Sequence, residues 1–434
     1  MFLSSYLRCS LLLAAIGVAG CTTVGPDYKG APAVAQDALQ SENFARAPAT
    51  GTAAQAPVAA WWLALHDTQL NDLIDAALAD SPDLRAAKAR LRQSRASLTQ
   101  QQAQGMPTIG ASAAAAILET GPGTDQSQTT KLYVTGFDAT WEADLFGGTR
   151  RAVEAASAEA DAVQADLADA QVSLAAEVAN AYVELRAEQQ RRLLVQQIAA
   201  YDQQMLALTQ QRRARGVATA DEVEQMASQL EGTASLLNQI DAAIAASFDQ
   251  LALLTGRTPG ALDGELSAPK ALPVLPQTVA LGDPADLVKR RPDIRAAERR
   301  LASSNAQIGE KTADYFPKLT LFGNIGFSAD SPTHLIRGSN AMLLGVPYLS
   351  WNFLDFGRTK AAVRGAEAGR DIALAKYESA VLVALRDANT ALSRYGYQRD
   401  SVLKLLAQQA SARHMADLMQ QRRSAGTASQ IDLL

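Results

Sequence analysis

The stretch WEADLFGGTRRAVEA, residues 141–155, has a counterpart 210 residues later, WNFLDFGRTKAAVRG at 351–365. Each begins with Trp, reaches Phe-Gly five residues on, and continues with Thr and a basic residue. The same repeat offset relates SPDLRAAKARL at 81 to RPDIRAAERRL at 291, and QRRARG at 211 to QRRSAG at 421. Matches that share one repeat offset indicate a tandem duplication, in which one structural module is used twice.

Composition restricts the kind of function. The 434 residues carry a formal net charge of −5, which argues against nucleic acid as a partner. The two cysteines, Cys9 and Cys21, both lie near the N-terminus, so we expect no disulfide in the mature chain. The three histidines are scattered, and no phosphate loop or nucleophile elbow occurs. The sequence therefore predicts neither an enzyme nor a cofactor or metal site.

The N-terminal residues have the pattern of a targeting segment. Arg8 precedes the apolar run LLLAAIGVAG and then Cys21, which is the pattern of a signal peptide at residues 1–20. The alternative, a transmembrane anchor, would need roughly 18 apolar residues. GVAGC resembles a bacterial lipobox, so Cys21 is predicted to be lipidated and to become the new N-terminus. Residues 21–60, rich in Ala, Pro and small polar residues, are predicted to form an extended tether.

Long segments without proline predict long helices. The sixteen prolines avoid residues 123–258 and everything after 347, and proline inside a helix costs about 3 kcal/mol. Leu174 and Leu185 belong to an apolar seam with coiled-coil spacing. Gly216 and Gly426 each follow a basic turn and are typical helix stops. We therefore predict long helices at 149–215, 219–255 and 359–423, and shorter helices at 70–104 and 284–315.

Between the short and the long helices lie alternating segments. In FPKLTLFGNIGFS, Leu319, Leu321 and Ile325 share one face, whereas Thr320 and Asn324 share the other. Such strands suit an outer membrane, although a soluble sandwich sheet remains an alternative. Four strands cannot close a barrel in lipid, so several chains would have to share one. The predicted strands cover 107–118, 131–142, 317–328 and 341–353.

The predicted domains follow the duplication. Residues 61–270 form the first repeat and 271–434 the second. The fold class is mostly α with a small membrane β part, made of long helical hairpins and four strands per chain. The second return helix, expected from 429, is cut short at Leu434. From this we expect a defective or poorly assembled channel, which single-channel conductance would test.

Several stretches together resemble the outer-membrane efflux family of the TolC superfamily, in its lipoprotein branch typified by OprM and NodT. They are CTTVGPDY at 21, WWLALHDTQLNDLIDAAL at 61, SPDLRAAKARL, RPDIRAAERRL, YFPKLTLFG at 315 and WNFLDFG at 351. The resemblance covers nearly the whole chain. It implies a homotrimer with a twelve-stranded barrel in the outer membrane of a Gram-negative bacterium and a helical barrel in the periplasm. It also implies a membrane-fusion adaptor and an inner-membrane pump, often of the RND type, as partners.

The resemblance also suggests a gate at the periplasmic helix tips. Asp417, with Arg413 one turn earlier, has the position of the family's gate, and three copies would form a ring. The alternative is an ordinary surface pair of Arg413 and Asp417. Basic residues at the tips could contact the adaptor, but basic helix ends are also common without a partner. The candidate tip residues are Arg212, Arg213, Gly216, Val217, Arg422, Arg423, Gly426 and Thr427.

The function predicted from the sequence is that of a passive outer-membrane duct for drugs or other small molecules, driven by an inner-membrane pump. Two alternatives stay open. One is the exit duct of a type I protein secretion system, which shares the architecture. The other is a non-conducting, lipid-anchored coiled-coil scaffold, for which amphipathic strands have no evident use.

Overall fold

A computed structural model describes residues 23–53, 59–120 and 128–433. Two compact units are present. The first combines the described part of Met1–Val34 with Ala89–Asp166 and Pro292–Val381, and the second combines Ala35–Lys88, Leu167–Arg291 and Leu382–Leu434. Each unit takes residues from both sequence repeats, so neither repeat is compact by itself.

Seven helices of at least seven residues occur in the described part of the chain. Two of them, α3 and α7, have 67 residues each, or about 100 Å at 1.5 Å per residue. Both consist largely of Ala, Leu, Gln, Glu and Arg, which favour helix. The helices are α1 Thr68–Asp80, α2 Pro82–Gln104, α3 Gly148–Ala214, α4 Ala220–Leu254, α5 Pro284–Arg290, α6 Pro292–Ala313 and α7 Arg358–Ser424.

The shorter helices differ from the sequence expectation. One continuous helix was expected over 70–104 and another over 284–315, but each is two helices, broken before Pro82 and before Pro292. Proline clashes with a helical residue before it, and Ser81 and Arg291 accordingly take ψ values of 129° and 123°. Asp67 then caps α1 by accepting from the backbone N–H of Gln69 and Leu70.

One antiparallel sheet of four strands lies in the first unit, in the order β1-β2-β3-β4. β1 and β2 form a hairpin in which Thr108 pairs with Thr140, and β3 and β4 form one in which Lys318 pairs with Ser350. These two registers coincide when one hairpin is shifted by the repeat offset. The strands are β1 Thr108–Thr120, β2 Gln128–Ala143, β3 Lys318–Ala329 and β4 Ala341–Ser350.

The two units pack their helices with side chains of different size. In the first, α3 and α6 meet through small residues, with Ala162 and Ala306 fully buried and the Ser303 hydroxyl donating to the Ala155 carbonyl. In the second, larger side chains form the core. Its fully buried members include Leu70, Ile74, Val178, Tyr182, Leu185, Leu251, Leu262 and Leu266.

The described residues of the predicted tether make hydrogen bonds and an ion pair with side chains of the long helices. In the first unit, the buried guanidinium of Arg151 donates to the Val24 and Gly25 carbonyls and pairs with Asp27 at 2.7 Å. In the second unit, the Arg46 N–H donates to the Asn389 side chain, and residues 52–53 pair in parallel with 279–280. An extended chain leaves its backbone groups free, and these helices and the short strand pairing satisfy several of them.

Candidate functional site

One face of the sheet is apolar and exposed. Directly paired residues share a face, and the register joins Phe137 to Ile325 and Trp141 to Leu321. Phe137 and Ile325 are each 64% exposed, and Leu343, on the same face of β4, is 79% exposed. The charged residues on this face, Glu119 and Lys131, lie at the loop ends of β1 and β2. An apolar surface of this kind suits contact with lipid. Its other exposed members are Ile109, Ile117 and Leu349.

The opposite face carries a fixed carboxylate in the middle of β2. Asn324 of β3 donates its Nδ2–H to Asp138 at 2.6 Å, and the Ser112 hydroxyl of β1 also hydrogen-bonds this carboxylate. Glu142 and Lys318 are on the same face, and Lys318 pairs with Asp314 at 3.0 Å. The sequence analysis missed Asp138. The strict alternation around Phe137 and Trp141 was the signal that could have identified it.

The first helix tip connects α3 to α4. The Val217 N–H donates to the Arg212 carbonyl and the Gly216 N–H to the Arg213 carbonyl, both at 2.9 Å. Gly216 has φ of +74°, a conformation that favours glycine. Thr219 then caps α4. This geometry leaves Arg212, Arg213, Gly216 and Val217 exposed at the tip.

The second tip repeats this geometry at the end of α7. The Thr427 N–H donates to the Arg422 carbonyl at 2.9 Å, and Gly426 has φ of +75°. Arg422, Arg423, Gly426 and Thr427 are exposed. Asp432 has a lowered pKa, because the Ser429 N–H and hydroxyl donate to it and Arg422 and Arg212 attract its charge. Asp432 therefore lies within electrostatic range of a basic residue from each tip.

The candidate gate residues lie on α7. Asp417 and Arg413 are both exposed. Within the described residues no ion pair joins them, although they lie four positions apart on one helix.

Side-chain hydrogen bonds and an ion pair join α3 to α4 beyond the first tip. Asp202, a buried carboxylate on α3, accepts from Gln229 Nε2 at 2.7 Å and from the Thr233 hydroxyl at 2.6 Å. Further along, Arg192 pairs with Asp241 at 2.5 Å. Sequence reasoning did not single these residues out, because their partners lie 27 to 49 residues away.

A second polar cluster is built around Arg186, which is fully buried on α3. Its guanidinium donates to the side-chain oxygens of Gln69 and Gln189 and to the Leu266 and Ala268 carbonyls. The same group lies 4.9 Å from the ring centre of Tyr182. Arg186 thereby ties α3 to α1 and to the segment after α4.

Cys21 and the predicted signal peptide lie outside the described residues. Thr23 is close to Gly147, where an added Cβ would lie 2.7 Å from the Thr23 side chain. Along the described ranges, no helix combines the length and apolarity needed to cross a bilayer.

The chain is similar to known proteins over most of its length. The family model of the outer membrane efflux protein matches residues 73–257 and 284–434. Outer membrane protein OprJ of Pseudomonas aeruginosa is 31% identical over 396 residues, covering 88% of this chain and 80% of OprJ. The antibiotic efflux pump outer membrane protein ArpC of Pseudomonas putida is 30% identical over 401 residues, covering 88% and 79%.

A solved structure agrees with the sequence relatives. The outer-membrane channel OprN has a TM-score of 0.83 and 35% identity to this chain, over 94% of this chain and 91% of OprN. The mostly helical fold with a small four-stranded sheet is thus the fold of TolC-like channels, as the resemblance implied. On the family match and these relatives, the chain belongs to the outer membrane efflux protein family and is an outer-membrane protein.

Proposed function

We propose that this chain forms the passive outer-membrane duct of a tripartite efflux pump. The observation that carries the proposal is the four-stranded sheet, which has an exposed apolar face and whose edge strands β1 and β4 each have one neighbour among the described residues. A scaffold protein would gain nothing from exposing Phe137, Ile325 and Leu343 to water.

The open edges support a trimer. Backbone groups left unpaired in lipid cost several kcal/mol each, so an open sheet is not stable there. Membrane barrels of this kind begin at eight strands, and three copies of four strands give twelve. We infer a homotrimer in which each copy supplies one third of the barrel.

The long helices support a periplasmic conduit. α3 and α7 are each about 100 Å long at 1.5 Å per residue, far more than a single globular core requires. In the proposed assembly these helices line a tube that continues from the barrel. The tube supplies a path and no chemistry, and an RND-type inner-membrane pump supplies the energy.

The tips are the proposed gate and adaptor surface. Asp417 and Arg413 are exposed and free of a mutual ion pair, which leaves Asp417 able to join a ring of three carboxylates. We propose that the basic tips contact a membrane-fusion adaptor, with Arg212 and Arg422 as the central contacts. Residues 1–20 are the proposed signal peptide, and lipidated Cys21 the proposed membrane anchor.

Small molecules are the proposed cargo. The relative ArpC is described as part of an antibiotic efflux pump, and this supports drugs or similar compounds over a secreted protein. The proposed duct shares its architecture with type I secretion ducts, so the adaptor and pump decide the cargo.

Conductance of the purified protein tests the proposal. We expect a heat-modifiable trimer band in outer-membrane fractions and discrete conductance steps in planar lipid bilayers. A trimer in the outer membrane that never conducts would favour the scaffold reading. A monomer that stays in aqueous fractions would overturn both.

A further inference from the structure

The face of the sheet that carries Asp138 is apolar along β4. Directly paired residues share a face, and the register joins Asp138 to Asn324 and Asn324 to Leu344. Four large apolar residues of β3 and β4 lie on this face and are exposed in the single chain. We call them the inner strip, and they are Phe322 at 44%, Leu344 at 50%, Val346 at 41% and Tyr348 at 55% exposure.

Lipid contact does not account for the inner strip. In the proposed duct, lipid covers the other face, which carries Phe137 and Leu343. Leu343 and Leu344 are neighbours in β4 and lie on opposite faces of the sheet, because successive strand residues alternate. The side chain of Leu344 therefore faces the water-filled interior of the proposed duct, where exposure of an apolar surface is unfavourable.

The inner strip is one continuous surface. The rings of Phe322 and Tyr348 have centres 6.3 Å apart and planes tilted by 57°, within the range at which aromatic rings attract each other. Leu344, Val346 and Tyr348 occupy alternate positions of β4, so the strip is about 14 Å long at 3.4 Å per residue. That length accommodates a small molecule with several rings.

A fixed carboxylate lies beside the inner strip. Asn324 donates its Nδ2–H to Asp138 at 2.6 Å, and the Ser112 hydroxyl also hydrogen-bonds this carboxylate. A carboxylate accepts up to about four hydrogen bonds, so Asp138 keeps capacity for a further donor. Asp138 and Leu344 are two strands apart, about 10 Å at 4.8 Å per strand spacing. One small molecule can therefore contact both.

We propose that the inner strip and Asp138 form a transit site for amphiphilic organic cations, which are small molecules with an apolar body and a positively charged group. The apolar body covers Leu344, Val346 and the aromatic pair, and the positive group is attracted to Asp138. This inference rests on the proposed duct and names the class of cargo that its wall favours. An anion is repelled by the carboxylate, and a sugar gains nothing from the apolar strip.

The site suits weak binding. Transport requires that a molecule enters a site favourably and also leaves it readily. The inner strip is shallow, since each of its members stays exposed, and Asp138 is only partly buried. In the proposed trimer, three copies supply three such sites around one lumen, so a cargo molecule can pass from one site to another.

Block of the ionic current tests the site. Ethidium, a flat aromatic cation, is added to planar bilayers that contain the conducting protein, and tetramethylammonium serves as a cation without a large apolar body. We expect ethidium to reduce the conductance at concentrations about tenfold lower than tetramethylammonium. Leu344→Thr should raise the ethidium concentration for half-block about fivefold and leave that for tetramethylammonium unchanged.

Leu343→Thr is the matched control, because it makes the same change in the adjacent residue on the lipid-facing side. In a protein that still conducts, it should leave the half-block concentration of ethidium unchanged. Asp138→Asn should weaken the block by both cations, since it removes the charge that attracts both. Equal ethidium block in Leu344→Thr, Leu343→Thr and the unsubstituted chain would overturn the site.

Thiol labelling tests whether the inner strip faces the lumen. A charged, water-soluble methanethiosulfonate should react with Leu344→Cys and lower the conductance, whereas Leu343→Cys, which faces lipid, should not react. The unsubstituted chain, with its native Cys9 and Cys21, controls for other thiols. A conducting protein whose Leu344→Cys variant never reacts overturns the transit site and leaves the duct intact. A protein that never conducts overturns the duct itself.

Discussion

Trp141 and Trp351 make the same hydrogen bond at equivalent positions of the two repeats. Each indole Nε1–H donates at 3.0 Å to a backbone carbonyl 36 residues earlier, that of Gly105 for Trp141 and that of Tyr315 for Trp351. The carbonyls follow the ends of α2 and α6. The bond therefore ties the base of each hairpin to the helix that leads into it.

Replacing either tryptophan by phenylalanine tests this tie. Trp141→Phe and Trp351→Phe keep an aromatic ring but remove the donor, so each should cost about 1 kcal/mol of stability. Thermal unfolding followed by circular dichroism would report the loss. Trp61→Phe is the matched control, because Trp61 makes an aromatic contact with Trp62 and no hydrogen bond through its ring in the described structure. Equal effects at all three positions would contradict the prediction.

Arg186 should be far more sensitive to substitution than an exposed arginine of α3. Arg186→Ala leaves a cavity and removes the donor from the Leu266 and Ala268 carbonyls, at an expected cost of about 3 kcal/mol. Denaturant unfolding would measure it. Arg191→Ala, on the exposed side of the same helix, should change stability by about 0.5 kcal/mol or less. Similar midpoints for the two variants would show that the buried cluster is not stabilising.

We expect protonation of Asp355 at low pH to destabilise the start of α7. Hydrogen bonds from the Thr359 hydroxyl and from the backbone N–H of Thr359 and Gly357 hold the pKa of Asp355 at about 2, below its ordinary value of 3.8. A depressed folded pKa means that the stabilisation is present above the ordinary value and is lost as pH falls toward 2.

The expected result is a pH-dependent loss of stability between about pH 4 and 2 that Asp355→Asn reduces. Thermal midpoints at several pH values measure it, and Asp371→Asn, at an exposed position further along α7, serves as the control. A profile for Asp355→Asn that superimposes on that of the unsubstituted chain would refute the assignment.

Asp417 is the gate residue to test. Asp417→Asn removes the proposed ring of negative charge and should raise the mean conductance of the closed duct in planar bilayers. Asp400→Asn removes the same charge from an exposed position several turns earlier on the same helix, and should leave conductance unchanged. If both variants conduct alike, Asp417 is an ordinary surface residue.

Asp138 should set part of the ion preference of the duct. Ser112 and Asn324 hold its carboxylate on the face opposite the apolar one, which lines the lumen in the proposed barrel. Asp138→Asn should move the reversal potential in a salt gradient toward lower cation selectivity. Glu119→Gln removes a charge from the apolar face and should have a smaller effect. A reversal potential that stays unchanged in Asp138→Asn would exclude this role.

The sequence alone determined the local features. The constant repeat offset identified the duplication, and the absence of proline predicted long helices whose ends lie close to those observed. Alternation put Leu321 and Ile325 on one face of their strand, as the register has them. These features depend on neighbours close in the chain, so periodicity and proline geometry suffice to find them. The breaks before Pro82 and Pro292 were equally local, and weighing the residue before each proline would have found them.

The tertiary structure decided everything that depends on partners far apart in the chain. Alternation gives the face of a strand but not its neighbour, so only the fold joined β2 of the first repeat to β3 of the second. The burial of Arg186 depends on Gln69, 117 residues away, and the carboxylate of Asp138 is held by Asn324, 186 residues away. Such contacts form only when distant parts of the chain come together and close long loops. A local sequence pattern does not show which distant segments will meet.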